Sequence, residues 1–293
     1  MTIAAPHLFD TWNVDTPRVP MLMSVPHSGR DYPLALLEMA RLAADRLVLL
    51  EDRYSDVLIA DCAAMGVPVI VARIARAMVD LNRAADDMDI DAVIPADRIN
   101  FAPPGRKARA GLGIVPSRAG RQGAIWKTQL TYADIAARIA VYHRPYHDRI
   151  AAVLSHIYAR YGQALLIDVH SMPSLPRDRG APPVDLVVGD GFGSTAPNWA
   201  ADRVRAVAAD HGLRAVINQP YAGGQIIRAH ARPQQGVYGV QIEIDRALYL
   251  DVRGACDVAG TARINAALAA IAQALIAEMA ARDPAMMWPQ AAE

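Results

Sequence analysis

Two histidines in this chain follow short apolar runs in the same way. His27 closes "MLMSVPH", His170 closes "ALLIDVH", and each is followed by a serine. If both runs are parallel central strands, the two imidazoles arrive at one edge of a sheet, where they suit Zn²⁺ as ligands. A catalytic zinc takes a third protein ligand and keeps one position open. Asp52 and Asp56 in "EDRYSDVL" are the candidates. Four residues apart, both can face the same way on a helix. Asp168 stands two residues before His170, so in a strand the two side chains share a face. A carboxylate there can accept the free N–H of a ligating imidazole and fix its tautomer. The competing reading of His170 is a hydrogen-bonded core histidine.

A second set of polar residues could do the remaining work. Glu243 lies inside the alternating stretch "VYGVQIEIDRALY", with Gln241 and Asp245 on its face. A carboxylate in such surroundings is costly unless it is paired or used. It is therefore a general base or acid beside a metal site, or else an edge-strand ion pair with Arg246 or Arg228. "ARAMVDLNR" brings Arg76, Asn82 and Arg83 close together, and arginine forks suit carboxylates. The ordinary fate of an Asn-Arg pair is a solvated turn. His143 and His147 in "HRPYH" have i,i+4 metal spacing but lack the glutamate of a zincin helix. Packing and hydrogen bonding near the site, together with Tyr142 and Tyr146, is the expectation for them. "VDLVVGDGFGSTAP" approaches a dinucleotide fingerprint, but its third glycine comes one residue early.

The elements that must position these residues alternate between strand and helix. Strand-like runs are "VPMLMSVPH", "VPVIVAR", "AMVDLN", "QALLIDVH", "VDLVVGD", "RAVIN" and "VYGVQIEI". Helical periodicity marks "LALLEMARLAAD", "SDVLIADCAAMG" closed by Gly66, and a long stretch from Tyr132 to Gly162 with Pro145 as a kink. Further helices run from about Pro197 to His211 and from about Val258 onward. This alternation predicts a three-layer α/β domain with ligands beyond the strand C-terminal ends. The whole chain, 1–293, reads as one domain. Residues 84–127, rich in Pro, Gly, Arg and Asp, form a long irregular surface excursion.

Composition narrows the class. Hydrophobic residues make up 53% and charged residues 20% of 293, which fits a globular protein. Thirty basic residues balance thirty acidic ones, so neither nucleic acid nor an anionic membrane is expected as the main partner. Two cysteines, Cys62 and Cys256, fit a reducing compartment and exclude a Cys-rich zinc site. The start "MTIAAPHLFDTW" has no basic n-region and no long apolar h-region, so the expected location is cytoplasmic. The Ala-rich run "INAALAAIAQALIAEMAA" contains Asn265, Gln273 and Glu278 and reads as a packed helix rather than a membrane span.

Seven motifs in order, "VPHSG", "DLNR", "YHRPYH", "DVHSMPS", "GDGFGSTA", "YAGG" and "QIEIDRALY", resemble the N-formylglutamate amidohydrolase (deformylase) family. They run from residue 25 to residue 249. The resemblance implies a phosphorylase/hydrolase-like mixed sheet of the zinc carboxypeptidase and aspartoacylase kind. It implies one Zn²⁺ per chain, on His27, Asp52 and His170. It further implies Glu243 as general base and Arg76 as the group that polarises the carbonyl. Asn82 and Arg83 would bind the substrate carboxylate, with Arg228 as a further substrate-binding residue. The implied reaction is hydrolysis of an N-acyl amino acid, N-formyl-L-glutamate first, in histidine degradation, by a monomer or small homo-oligomer. A deacylase or carboxypeptidase for another N-acyl amino acid or peptide is the alternative, and a non-catalytic zinc or amino-acid binding protein the next. The sequence departs from the family pattern in three places. Arg53, not an aromatic residue, follows Asp52; Ala229 separates Arg228 from His230; and "FAPPGRKARAGLGIVPSRAGRQGAIWK" is unusually basic.

Overall fold

The computed structural model describes residues 7–177, 180 and 182–282. Residues 1–6, on which much of the signal-peptide reading rests, lie outside the described residues. Seven strands form one sheet in the order β1-β3-β2-β4-β7-β5-β6. They are β1 (Phe9–Trp12), β2 (Met21–Val25), β3 (Val69–Ala72), β4 (Ala164–Met172), β5 (Leu186–Gly189), β6 (Ala215–Ile217) and β7 (Val237–Asp245). The helices are α1 (Leu34–Met39), α2 (Ala44–Leu47), α3 (Ala60–Ala64), α4 (Arg106–Arg109), α5 (Tyr132–Arg138), α6 (Arg144–Tyr161), α7 (Asn198–Asp210), α8 (Gln225–His230) and α9 (Val258–Arg282). The fold is mixed α/β, as the strand–helix alternation predicts.

The chain divides into two compact units. Among the described residues, the first comprises those within 7–10, 26–53 and 71–149, and the second those within 11–25, 54–70 and 150–282.

The second unit holds the central strands. β4 is buried along all nine residues, which explains its continuous apolar run. It pairs in parallel with β2, Ser24 opposite Asp168, and in parallel with β7, His170 opposite Glu243. β5 runs antiparallel to β7, with Val187 opposite Glu243, so β7 is an interior strand and not an edge. α9 is long and apolar enough to cross a membrane by length and composition. It packs against α3, α7 and the turn Val57–Ile59, burying Ile264, Leu268, Ile271, Leu275 and Met279. That is the packing expected of a core helix.

The first unit is built mainly from loops, and here three expectations change. "LALLEMARLAAD" is not one helix. Ala40 turns extended (ψ 138°), bridges Trp126, and Arg41 N–H donates to Ile125 O at 2.6 Å. "AMVDLN" is not a strand but a run of turns. Asp80 N–H donates to Ile114 O, and the Met78 carbonyl accepts from the Arg138 guanidinium. Residues 84–127 are irregular as expected, yet they are not merely surface. Met88, Val93, Ile114, Val115 and Ile125 are fully buried and Trp126 nearly so. This segment supplies part of the unit's own core.

The long helix begins at a Thr131 capping box with Asp134. A π-helical turn, Ile139–His143, separates α5 from α6 just before Pro145. Proline has no N–H to give the preceding turn, so the irregularity falls where the kink is expected.

Candidate metal centre and active site

His27 follows β2 by two residues, at the start of the 26–53 segment of the first unit. The chain after it passes so near residues 73–74 that a Cβ on Gly29 would stand 2.1 Å from Ile74 O. Only glycine fits there, which explains the "HSG" sequence. His27 Nε2 lies 2.7 Å from Asp80 Oδ1, and Nδ1 lies 3.4 Å from Asp52 Oδ2. The Asp52 backbone N–H donates to His27 O at 2.9 Å, tying the two chain segments together.

Asp80 is the hub of this unit, and it is the residue that sequence reasoning misses. It is fully buried. Its Oδ2 accepts from Arg76 Nε at 2.9 Å and Nη2 at 2.8 Å, and its Oδ1 accepts from Asn82 N–H at 2.9 Å. Burial alone would raise its pKa. The charges of Arg76 and Arg83 and the hydrogen bond to His27 outweigh burial and hold the carboxyl well below the usual carboxylate range. The available signal is its place in "DLNR", two residues before Asn82.

Arg76 also comes within 4.0 Å of Asp52 through Nη1. Arg83 is buried. Its Nη1 donates to Asn82 O at 2.7 Å and its Nε to Leu112 O at 2.8 Å. The alternative reading of Asn82–Arg83 as a solvated turn does not hold, because the turn is buried and cross-tied. His143 and His147 lie beneath it as packing and hydrogen-bonding residues. Nε2 of each is 2.9 Å from a backbone carbonyl, of Arg83 and of Leu81 respectively.

In the second unit, strand register does the positioning. Asp168, two residues before His170, accepts from Ser24 Oγ at 3.0 Å and faces His170 Nε2 at 2.7 Å. Both Asp168 and His170 are buried. Register-paired residues on neighbouring strands, about 4.8 Å apart, show their side chains on one face. His170 and Glu243 are such a pair, and so are Asp168 and Gln241. Gln241 Nε2 donates to Glu243 Oε1 at 2.8 Å and orients that carboxylate. Arg246 is turned to Ser171, its Nε donating to Ser171 Oγ at 3.0 Å. Arg228, on α8, is exposed and donates through Nε to Gly224 O. The "GDGFG" loop leaves β5 through Asp190. Gly191 and Gly193 have positive φ, Phe192 is 75% exposed, and Asp190 Oδ1 accepts from Gly193 N–H. The turn closes on itself through that bond, in keeping with a glycine spacing that misses the dinucleotide fingerprint.

His27 and Asp52, both buried, stand together in the first unit as two donors that could hold a metal ion, and buried His170 belongs to the second unit. The geometry of the first unit fits that role. Two donors about 2.0–2.1 Å from one ion at a tetrahedral angle stand roughly 3.3–3.4 Å apart, and His27 Nδ1 and Asp52 Oδ2 are 3.4 Å apart. The outer partners fit too, because each imidazole has its other nitrogen on a buried carboxylate, Asp80 or Asp168. Asp56, the other candidate acid, is half-buried and outside that pair.

Similarity to known proteins places the chain among hydrolases that act on an amide. The chain belongs to the N-formylglutamate amidohydrolase family, whose model matches residues 19–250. An N-formylglutamate deformylase from Pseudomonas aeruginosa is 31% identical over 245 residues, 80% of this chain and 83% of that protein. One from Pseudomonas putida is 28% identical over the same coverage. The crystal structure of N-formylglutamate amidohydrolase from Ralstonia eutropha superposes with a TM-score of 0.84 at 29% identity, covering 94% of this chain and 99% of that one.

Proposed function

We propose that the protein hydrolyses N-formyl-L-glutamate to formate and L-glutamate, with one Zn²⁺ on His27, Asp52 and His170. The observation that carries this reading is the pairing of His170 with Glu243 across β4 and β7, inside a chain of this family. It sets a carboxylate beside a candidate ligand, which a mere binding protein has no use for. Zinc held there supplies Lewis acidity toward the formyl oxygen and toward a water molecule.

The chain's own groups do the rest. Glu243, oriented by Gln241, takes the proton from the attacking water and passes it to the amine nitrogen as the C–N bond breaks. An amine leaves only when protonated, so one carboxylate within reach of both atoms serves both steps. Arg76, held along one edge by Asp80, donates to the formyl oxygen as negative charge develops there. Arg83 and Asn82 hold the substrate carboxylate, and Arg228 adds a further substrate contact. On the same reading the activity belongs to histidine degradation in the cytoplasm, and the protein works as a monomer or small homo-oligomer.

A panel of N-formyl, N-acetyl and N-succinyl amino acids on the zinc-loaded protein tests this. N-formyl-L-glutamate should turn over fastest. Faster turnover of a larger acyl group would move the protein to another deacylase specificity. Tight zinc binding without hydrolysis of any of them would overturn the enzymatic reading.

A further inference from the structure

The "HRPYH" pair takes no part in the chemistry above, yet it is built into the loop that bears Asn82 and Arg83. His143 Nε2 donates to Arg83 O at 2.9 Å and His147 Nε2 donates to Leu81 O at 2.9 Å. These carbonyls flank Asn82, whose own N–H is held by Asp80 and whose O is held by Arg83 Nη1. Residues 80–83 belong to no helix or strand, so apart from Asp80 N–H, which donates to Ile114 O, their backbone groups look to side chains for partners. The two imidazoles supply two of those partners from one continuous helical stretch.

The local sequence explains why both can reach. The π-helical turn Ile139–His143 runs directly into α6, and such turns reset the phase of the side chains that follow. The rings stack with centroids 4.3 Å apart and planes 32° apart. A carbonyl only accepts, so each ring must carry hydrogen on Nε2. Two stacked rings at that distance favour the neutral form. Burial first, and then the His147 ring, pushes the His143 pKa down to about 4.

We propose that His143 and His147 are positioning residues for substrate carboxylate binding: they clamp the carbonyls of Arg83 and Leu81 and so set the direction of Asn82 and the Arg83 fork. This rests on the reading of Arg83 and Asn82 as the carboxylate site. A fork that must meet a carboxylate bidentately loses most of its value when its backbone shifts, and a displacement of about 1 Å can cost on the order of a hundredfold.

The test uses the full-length zinc-loaded protein, with N-formyl-L-glutamate and its α-methyl ester as substrates. His143→Phe and His147→Phe keep the ring stack and remove the donor. Each should raise KM for the free acid by about ten- to a hundredfold and collapse the preference for acid over ester, while kcat and zinc content stay near wild type. His143→Gln and His147→Gln return an N–H near the Nε2 position and should recover most of the KM and of the preference. His147, half-buried, provides the same test should His143→Phe fail to fold.

Arg83→Ala runs alongside. If it loses the acid preference while both Phe variants keep it, the clamp is wrong and the carboxylate site stands. If Arg83→Ala itself keeps the preference, the carboxylate reading fails and takes the clamp with it. A fall of kcat, zinc content and Tm together in the Phe variants, without rescue by Gln, would show general structural damage and also overturn the proposal.

Discussion

The two histidines proposed as zinc ligands are held by different means. Around His170 the support is a short relay inside the sheet, Ser24 to Asp168 to His170, fixed by strand register. Around His27 it is a loop-built hub in which Asp80 gathers His27, Arg76 and Asn82. The relay serves one proposed ligand. The hub serves a proposed ligand, the proposed oxyanion donor and the proposed carboxylate loop at once. Damage to the hub should therefore spread across binding and chemistry, whereas damage to the relay should stay with the metal.

Asp80→Asn should show the larger effect. It removes the charge that orients Arg76 and leaves a weaker partner for His27. Loss of a positioned oxyanion donor costs about 10²–10³ in kcat, so kcat/KM should fall by at least that much even at saturating zinc. If Asp80→Asn behaves like wild type once zinc is added, the hub does not orient Arg76. Asp168→Asn should weaken zinc affinity by about 10–100-fold and leave kcat near wild type when zinc is in excess. Titration with a competing chelator, followed by turnover at saturating metal, separates the two outcomes. A kcat loss in Asp168→Asn that excess zinc does not restore would erase the contrast.

Much of the relay is legible in the sequence, and little of the hub is. The apolar run of β4 identifies a buried strand, and the two-residue spacing alone puts Asp168 and His170 on one face. The i,i+4 pair His143 and His147 also declares itself as a helix face. Asp80 does not, because His27 is 53 residues away and both lie in irregular backbone. No periodicity connects two loops. The same cause misleads at "AMVDLN", where alternating apolar residues imitate a strand but the backbone bonds go to Ile114 and Arg138. Glu243 is intermediate. Its alternation shows a strand, but only the pairing with β4 and β5 makes that strand central and sets Glu243 beside His170.

Smaller effects test the backbone of the hub. Gly29→Ala would place a methyl against Ile74 O at 2.1 Å, so the chain must move. Overpacking of this kind costs about 1–3 kcal/mol, and Tm should fall by several degrees. An unchanged Tm would show that the close passage after His27 is not needed.

His143 carries the smallest effect, and its sign is fixed. Its folded pKa of about 4 lies below the ordinary value of 6.5, so below pH 6.5 the unfolded chain binds the proton first. Its contribution is complete above pH 6.5 and is lost as pH falls toward about 4. His143→Gln should flatten this part of the stability profile relative to wild type, as read by Tm at pH 7, 5.5 and 4. A steeper acid-side slope in the variant would contradict the neutral, buried imidazole.

Glu243→Gln probes the centre of the account. The substitution keeps the shape of the side chain and removes the base, while the proposed zinc ligands remain. Zinc content and turnover of N-formyl-L-glutamate should be measured on the same preparation. The account predicts full zinc occupancy with kcat lower by about 10²–10⁴. Near-native turnover in Glu243→Gln would contradict it.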